Sequence, residues 1–201
     1  MRKKKWVPDF LEQETEYLIP DFKAYETGKP VYIEIGMGMG DFITQSASMY
    51  PENFYVGLER EETCVARAIK KARELELNNI RFILDDAAKI EELFDEDSID
   101  LIYLHFSDPW PKKRNHKRRL TYPPFLKAYE KILKKDGILV FKTDNSEFFE
   151  DSLEYFETSS FELLESDRDY YKEGEPMTAY QAKFHAEGKP INYAKYKVNK
   201  V

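Results

Sequence analysis

Apolar residues along this chain repeat in two rhythms that alternate with each other. Runs rich in β-branched and aromatic residues read as strands: PVYIEIG from Pro30, NFYVGLE ending at Glu59, and IRFILDDA with Asp85 and Asp86 at its end. IDLIYLHF, Ile99 to Phe106, and GILVFKTDN, ending in Thr143, Asp144 and Asn145, add a fourth and a fifth. The intervening segments carry helical spacing. In EETCVARAIKKARELEL it is set by Val65, Ala68, Ile69, Ala72 and Leu75. A helix is predicted from Asp41 to about Tyr50 with Asp41 as its cap, and a short one around Ile90–Phe94. Another is predicted from Tyr122 to Lys135, entered at Pro123 or Pro124 and closed by Gly137. A further helix runs from Glu147 to Phe156, and Gly188-Lys189-Pro190 turns into a last alternating strand. Strands alternating with helices imply an α/β protein with a doubly wound, mainly parallel sheet. Residues 1–29 lack this order and read as a partly flexible lead-in with little core of its own, so the domain proper is 30–201.

Composition narrows the class. A length of 201 residues suits one domain, and 42% hydrophobic with 15% aromatic residues argues against disorder. The single cysteine, Cys64, excludes an internal disulfide, and its place on an amphipathic helix reads as a small core residue. Neither a cysteine-based zinc site nor a histidine cluster is present. No apolar stretch reaches membrane-spanning length, and MRKKKW lacks the apolar segment of a signal peptide, which predicts a soluble, cytoplasmic protein with no membrane partner. The basic head, Arg2, Lys3, Lys4 and Lys5, reads as a frayed, solvated terminus.

A formal net charge of −7 argues against a general nucleic-acid binder, so the placement of charge carries more information than its sum. After the fourth strand the chain reads LHFSDPWPKKRNHKRRL. Pro109 and Pro111 end the strand, Asp108 and Trp110 sit at its exit, and six cations follow: Lys112, Lys113, Arg114, Lys117, Arg118 and Arg119. The next acid is Glu130. A carboxylate and an aromatic beside a cationic loop suit a reactive centre next to an anionic polymer, whose phosphates the cations hold without reading sequence. Trp110 suits stacking on a base and, equally, anchoring the loop.

In such sheets ligands lie outside the carboxyl ends of the strands. Glu34, Glu59, Asp86, Asp108 and Asp144 all fall near those ends. Gly36, Gly38 and Gly40 let the backbone pass close to a ligand, and Glu59, 19 residues beyond Gly40, suits the two hydroxyls of an adenosine ribose. Nicotinamide cofactors and S-adenosylmethionine share that geometry. The spacing here is E-x-G-x-G-x-G, and a carboxylate at Glu34 suits a positively charged ligand and opposes a pyrophosphate. A sulfonium cofactor is therefore the better reading, with Asp86 facing the adenine amino group. Guanine N7 has a free lone pair, so its methylation needs alignment and a negative group near the ring rather than a base. Asp108 is placed for that role, or for holding the base by its edge.

The segments FSDPWPKKRNHKRRL, IEIGMGMGDF, GLE, FKTDN and TAYQAKF…GKPI resemble the bacterial, single-subunit tRNA (guanine-N7-)-methyltransferases, in consistent order from Pro30 to Lys197. The DPWPKKR…KRR segment carries most of the specificity. The resemblance implies a class I, Rossmann-like methyltransferase fold with seven strands, the last antiparallel. It also implies an RNA-binding tRNA-modification enzyme that uses S-adenosyl-L-methionine to methylate the variable-loop guanosine at position 46. Carried over by position, cofactor contacts fall on Glu34, Glu59, Asp86 and Asp108, and Asp108 is also catalytic. Substrate contacts fall on Lys112, Asp144 and the segment Thr178-Ala179-Tyr180-Gln181; Arg114 and Arg118 join them from the cationic loop. The chain departs from the family's pattern at Gln181, where Glu is usual, and at Asn115-His116, where the loop usually reads K-R-H. The first departure weakens a charge-neutralising role at 181, and the second a role for histidine in the loop.

Other readings compete. A methyltransferase for an exocyclic base nitrogen usually shows adjacent prolines after its acid, whereas Trp110 separates Pro109 from Pro111. A non-catalytic RNA-binding protein of the same fold has no need of intact glycines, Glu34 and Glu59. A nicotinamide oxidoreductase has no task for the basic loop. His105 reads as a packed strand residue, Glu147, Glu150 and Asp151 as a solvated helix face, and Asp85 as pointing away from the pocket. Both a monomer and a homodimer are compatible with the sequence.

Overall fold

The computed structural model describes residues 5–200. Seven strands, β1 (Val31–Ile35), β2 (Phe54–Glu59), β3 (Ile80–Leu84), β4 (Ile99–His105), β5 (Leu133–Thr143), β6 (Phe161–Asp167) and β7 (Asn192–Val198), form one sheet of order β3-β2-β1-β4-β5-β7-β6. All pairings are parallel except those of β7, which runs antiparallel to β5 and β6. The order reverses between β1 and β4, which places the ligand crevice at their carboxyl ends.

Side chains alternate between the two faces and feed two cores. Helices α1 (Val7–Glu12), α2 (Asp41–Met49) and α3 (Glu62–Glu74) cover one face, where Val65, Ala68, Ile69 and Ala72 of α3 meet Tyr55, Ile80 and Phe82. Helices α4 (Ile90–Leu93), α5 (Pro123–Ile132) and α6 (Ser146–Glu157) cover the other, with Leu126, Tyr129, Phe148 and Phe149 over Ile33, Ile102 and Phe141. Each such large side chain contributes about 1.5–3 kcal/mol on burial. Helix α7 (Ala179–Ala186) precedes β7.

Local details depart from the sequence reading. Asp41 is the first helical residue of α2 rather than its cap; Gly40 is the cap, at φ 73°, and Asp41 instead pairs with Lys71 of α3. Helix α5 ends at Ile132 and Gly137 lies inside β5, so Gly137 is no helix cap. Leu133 is drawn into the sheet beside Ile99, the ladder shifts register there, and Asp136 turns at φ 61°. A Cβ on Gly137 would come within 2.8 Å of the Lys134 carbonyl oxygen, which is why glycine stands there. Cys64 is only half-buried.

The lead-in joins the cores. Val7, Leu11, Tyr17 and Phe22 are buried, and Phe22 packs between Phe54 and Phe94. Leu18 bridges to Phe82 in parallel, the Phe82 N–H donating to the Tyr17 carbonyl and the Ile19 N–H to the Phe82 carbonyl. Buried Glu14 accepts the N–H of Tyr17 and pairs with Arg73 of α3. Of the basic head, Arg2, Lys3 and Lys4 lie outside the described residues; Lys5 is exposed.

Candidate active site at the strand ends

Glu34, the penultimate residue of β1, is 2% exposed, and its Oε2 has no hydrogen-bond partner. Its Oε1 lies 3.3 Å from Nδ1 of His105, the last residue of β4. Burial holds the Glu34 carboxyl well above the ordinary range, with Asp41 and Glu59 adding to it and Lys142 opposing. A buried carboxyl oxygen without a partner is costly, and its ionised form is favoured only when a cationic partner arrives.

The turn after β1 is built from three left-handed glycines, Gly36, Gly38 and Gly40, at φ 75°, 56° and 73°. Side chains are disfavoured there by 1–2 kcal/mol per residue, roughly. Gly40 is also tight against α3: a Cβ would sit 2.6 Å from that of Ala68. The Gly38 N–H donates to Oε2 of Glu59 at 3.1 Å, and Oε1 of Glu59 accepts the N–H groups of Arg60 and Glu61 at 2.8 and 3.0 Å. Turn and acid are thus locked together, and the carboxylate keeps lone-pair capacity for a ligand's hydroxyls. Asp86 lies two residues beyond β3, exposed, and caps the 3-10 turn Ala87–Lys89 by accepting from the Ala88 N–H. Asp85 pairs with Lys89 at 2.9 Å, and that hydrogen bond lowers its pKa.

Beyond β4 the chain carries two non-glycine residues at positive φ, Phe106 at 50° and Trp110 at 42°, with exposed Asp108 between them. The basic loop forms a 3-10 helix, Lys113–Arg118. Lys112, Lys113, Arg114, Lys117 and Arg118 are exposed, and the Arg118 guanidinium lies 4.8 Å from the Trp110 ring centre. Arg119 breaks the pattern. It is 1% exposed and bonded to Asp151 of α6, so it is no phosphate contact, and Asp151 is no member of a solvated face. Side-chain charge alone does not distinguish an inward arginine from an outward one; its partner lies 32 residues away in sequence.

Asp144 is exposed at the end of β5, and Asn145 beside it caps α6 by accepting the Phe148 N–H at 2.8 Å. Thr178 caps α7 by accepting the Gln181 N–H, and Tyr180 is 61% exposed. The Gln181 side chain turns inward, its Oε1 3.5 Å from Nζ of Lys142. Lys142 interrupts the apolar run of β5, a signal to which the sequence reading assigned no role. It is buried in β5, pushed down to about 8 by that burial, and lies 4.6 Å from the Tyr170 ring centre. A cavity of about 310 Å³ adjoins it on the same sheet face, lined by Tyr32, Phe42, Tyr103, Tyr170 and Glu175 among others. The acids at the strand ends do not line that cavity. Among the described residues no group of acids, histidines and cysteine is arranged to hold a metal, and no helix is long and apolar enough to cross a membrane.

A sheet of this order with β7 reversed, a glycine turn after β1 and an acid closing β2 defines the class I methyltransferase fold. Solved structures agree: the 16S rRNA methyltransferase KamB superposes at TM-score 0.67, covering 100% of this chain and 96% of that one at 11% identity. The antibiotic-resistance methyltransferase Kmr superposes at 0.62, covering 86% and 88% at 16% identity. The model of a family described as putative methyltransferase matches residues 28–194. A tRNA (guanine-N(7)-)-methyltransferase of Macrococcus caseolyticus is 42% identical, with 96% of each chain covered; its Bacillus subtilis counterpart is 38% identical, with 95% of each covered. The chain belongs to the tRNA (guanine-N7-)-methyltransferase family.

Proposed function

We propose that this protein transfers a methyl group from S-adenosyl-L-methionine to N7 of the variable-loop guanosine, position 46, of tRNA in the cytoplasm. One observation carries the reading: the orphaned, buried Glu34 oxygen precedes the glycine turn, at the same carboxyl end of the parallel strands as Asp108 and its cationic loop. A cationic cofactor satisfies the first, and an anionic RNA the second.

Glu34 faces the positive end of the cofactor, Gly36, Gly38 and Gly40 admit it, Glu59 accepts its ribose hydroxyls, and Asp86 faces its adenine. The bound cofactor supplies an electrophilic methyl group. The guanine N7 lone pair is already free, so no side chain has to remove a proton. Asp108, the catalytic residue, aligns the base and offsets the positive charge the ring gains, an electrostatic contribution that grows as the site is closed to water. Lys112, Arg114 and Arg118 hold phosphates of the flanking RNA. Asp144, Thr178 and Tyr180 contact the substrate nucleoside region, and Gln181, neutral and turned toward Lys142, holds that segment in register.

The test is methyl transfer from labelled S-adenosylmethionine to unmodified tRNA, followed by borohydride–aniline cleavage, which cuts at 7-methylguanosine. A single cut in the variable loop is expected. Label without cleavage would move the methyl to another atom and refute the N7 assignment.

A further inference from the structure

The last arginine of the basic loop is built into the protein interior. Nε–H of Arg119 donates to the carbonyl oxygen of Pro109 at 2.7 Å, and one terminal nitrogen donates to Asp151 Oδ2 at 2.5 Å and to the Tyr155 hydroxyl at 3.3 Å. The guanidinium lies 5.1 Å from the Phe148 ring centre. His116 approaches the same Tyr155 hydroxyl at 3.3 Å.

Pro109 follows Asp108 directly. It has no N–H, so its carbonyl is the only backbone group by which it can be tied down. The turn it belongs to is unfavourable locally, because Phe106 and Trp110 both sit at positive φ. Such backbone persists only where its surroundings over-determine it. The entry is fixed by the Phe106 N–H, which donates to the Lys142 carbonyl at 2.9 Å. The exit is fixed by Arg119.

We propose that Arg119 is a positioning residue, which, braced by Asp151 and Tyr155 of α6, holds the Pro109 carbonyl and so fixes Asp108 against the reacting base. The inference rests on the proposed role of Asp108. Arginine suits the task because its charge is permanent and its planar fork reaches the carbonyl and the carboxylate at once. The lysine ammonium is a single point that reaches one of them.

Arg119→Lys and Asp151→Asn, each alone and in an Asp108→Asn background, test this by steady-state kinetics. Arg119→Lys is expected to lower kcat roughly tenfold or more while both KM values stay within about twofold, since a small misplacement of a catalytic group is costly. In the Asp108→Asn background the further loss should stay under about twofold, the non-additivity of two residues acting as one. A raised KM for tRNA with kcat retained would make Arg119 an RNA contact instead. Equal fractional losses in both backgrounds would make it general fold support. Asp151→Asn, at a half-exposed position and still able to accept a hydrogen bond, should show the same pattern more weakly; it decides the matter if Arg119→Lys does not fold.

A readout independent of the methylated atom comes from Trp110. In a Trp6→Phe protein it is the sole tryptophan. Arg119→Lys or Asp151→Asn should increase its acrylamide quenching, because the turn loosens. Unchanged quenching would overturn the proposal even if the enzyme methylated another position; a failure of N7 methylation with increased quenching would refute the function and leave the brace standing.

Discussion

Glu34 Oε1 and His105 Nδ1 lie 3.3 Å apart, and both side chains are almost wholly buried. The separation suits an ion pair, but burial pushes the Glu34 carboxyl up and the His105 imidazole down, so both favour their neutral forms. Burial thus favours the uncharged form of each, and the contact is not counted as an ion pair, because the two desolvation effects act in the same sense.

A cation bound at Glu34 reverses that preference. Cofactor binding should therefore release protons, up to about one per site. Titration calorimetry in buffers of different ionisation enthalpy measures the number, and affinity should rise with pH while the free protein still carries the proton. Glu34→Gln should abolish this release and weaken S-adenosylmethionine binding roughly ten- to a hundredfold. Proton uptake, or the same proton count in Glu34→Gln, would place the titrating group elsewhere.

The same residue should cost the empty protein stability. A carboxyl whose folded pKa is raised contributes stability below its unfolded pKa and loses it as pH rises toward the folded value. At pH 7 Glu34→Gln should therefore raise the urea midpoint without cofactor. At pH 4 the gain should vanish. A lower midpoint at pH 7 would show that Glu34 is held by contacts stronger than its burial penalty.

Asp108 is exposed, so Asp108→Ala should fold as the parent does. Single-turnover methyl transfer should fall roughly a hundredfold, the scale of one lost electrostatic contact in a transition state. Parental rates would remove Asp108 from the chemistry.

Neutralising Lys112, Arg114 and Arg118 together should weaken tRNA binding and flatten its dependence on salt, the log–log slope shrinking by about 2. Filter binding between 50 and 200 mM salt, roughly, spans the useful range. An unchanged slope would turn the loop away from RNA.

The strand–helix alternation and the five strand-end acids were legible because each depends on local composition and on residues near a strand terminus. The place of Glu59 at the end of its strand was legible from the strand pattern, yet its bond from the Gly38 N–H was not, since that bond depends on how the turn folds back. Arg119 and Asp151 were misread because exposure of a charged residue is decided by partners distant in sequence. Lys142 and His105 interrupt apolar strands, a signal that marks a polar face of the sheet but does not say what faces it. Gly137 was misplaced because the sheet's demand for Leu133 outweighed the helix signal before it.

The early segment that bridges to Phe82 has a consequence for how the protein keeps to itself. Strand β3 ends the row, and its unpaired backbone groups would otherwise be a template for another chain. Tyr17 to Ile19 occupy the N–H and C=O of Phe82, at the middle of that strand, with the protein's own backbone. At the far border, β6 breaks its register between Leu163 and Glu165 and presents Glu162, Glu165 and Asp167, all exposed. One border is interrupted at its middle by the protein's own backbone, and the other is bent and carries acids beside the exposed Leu163 and Leu164, so the two borders oppose strand-to-strand pairing by different means.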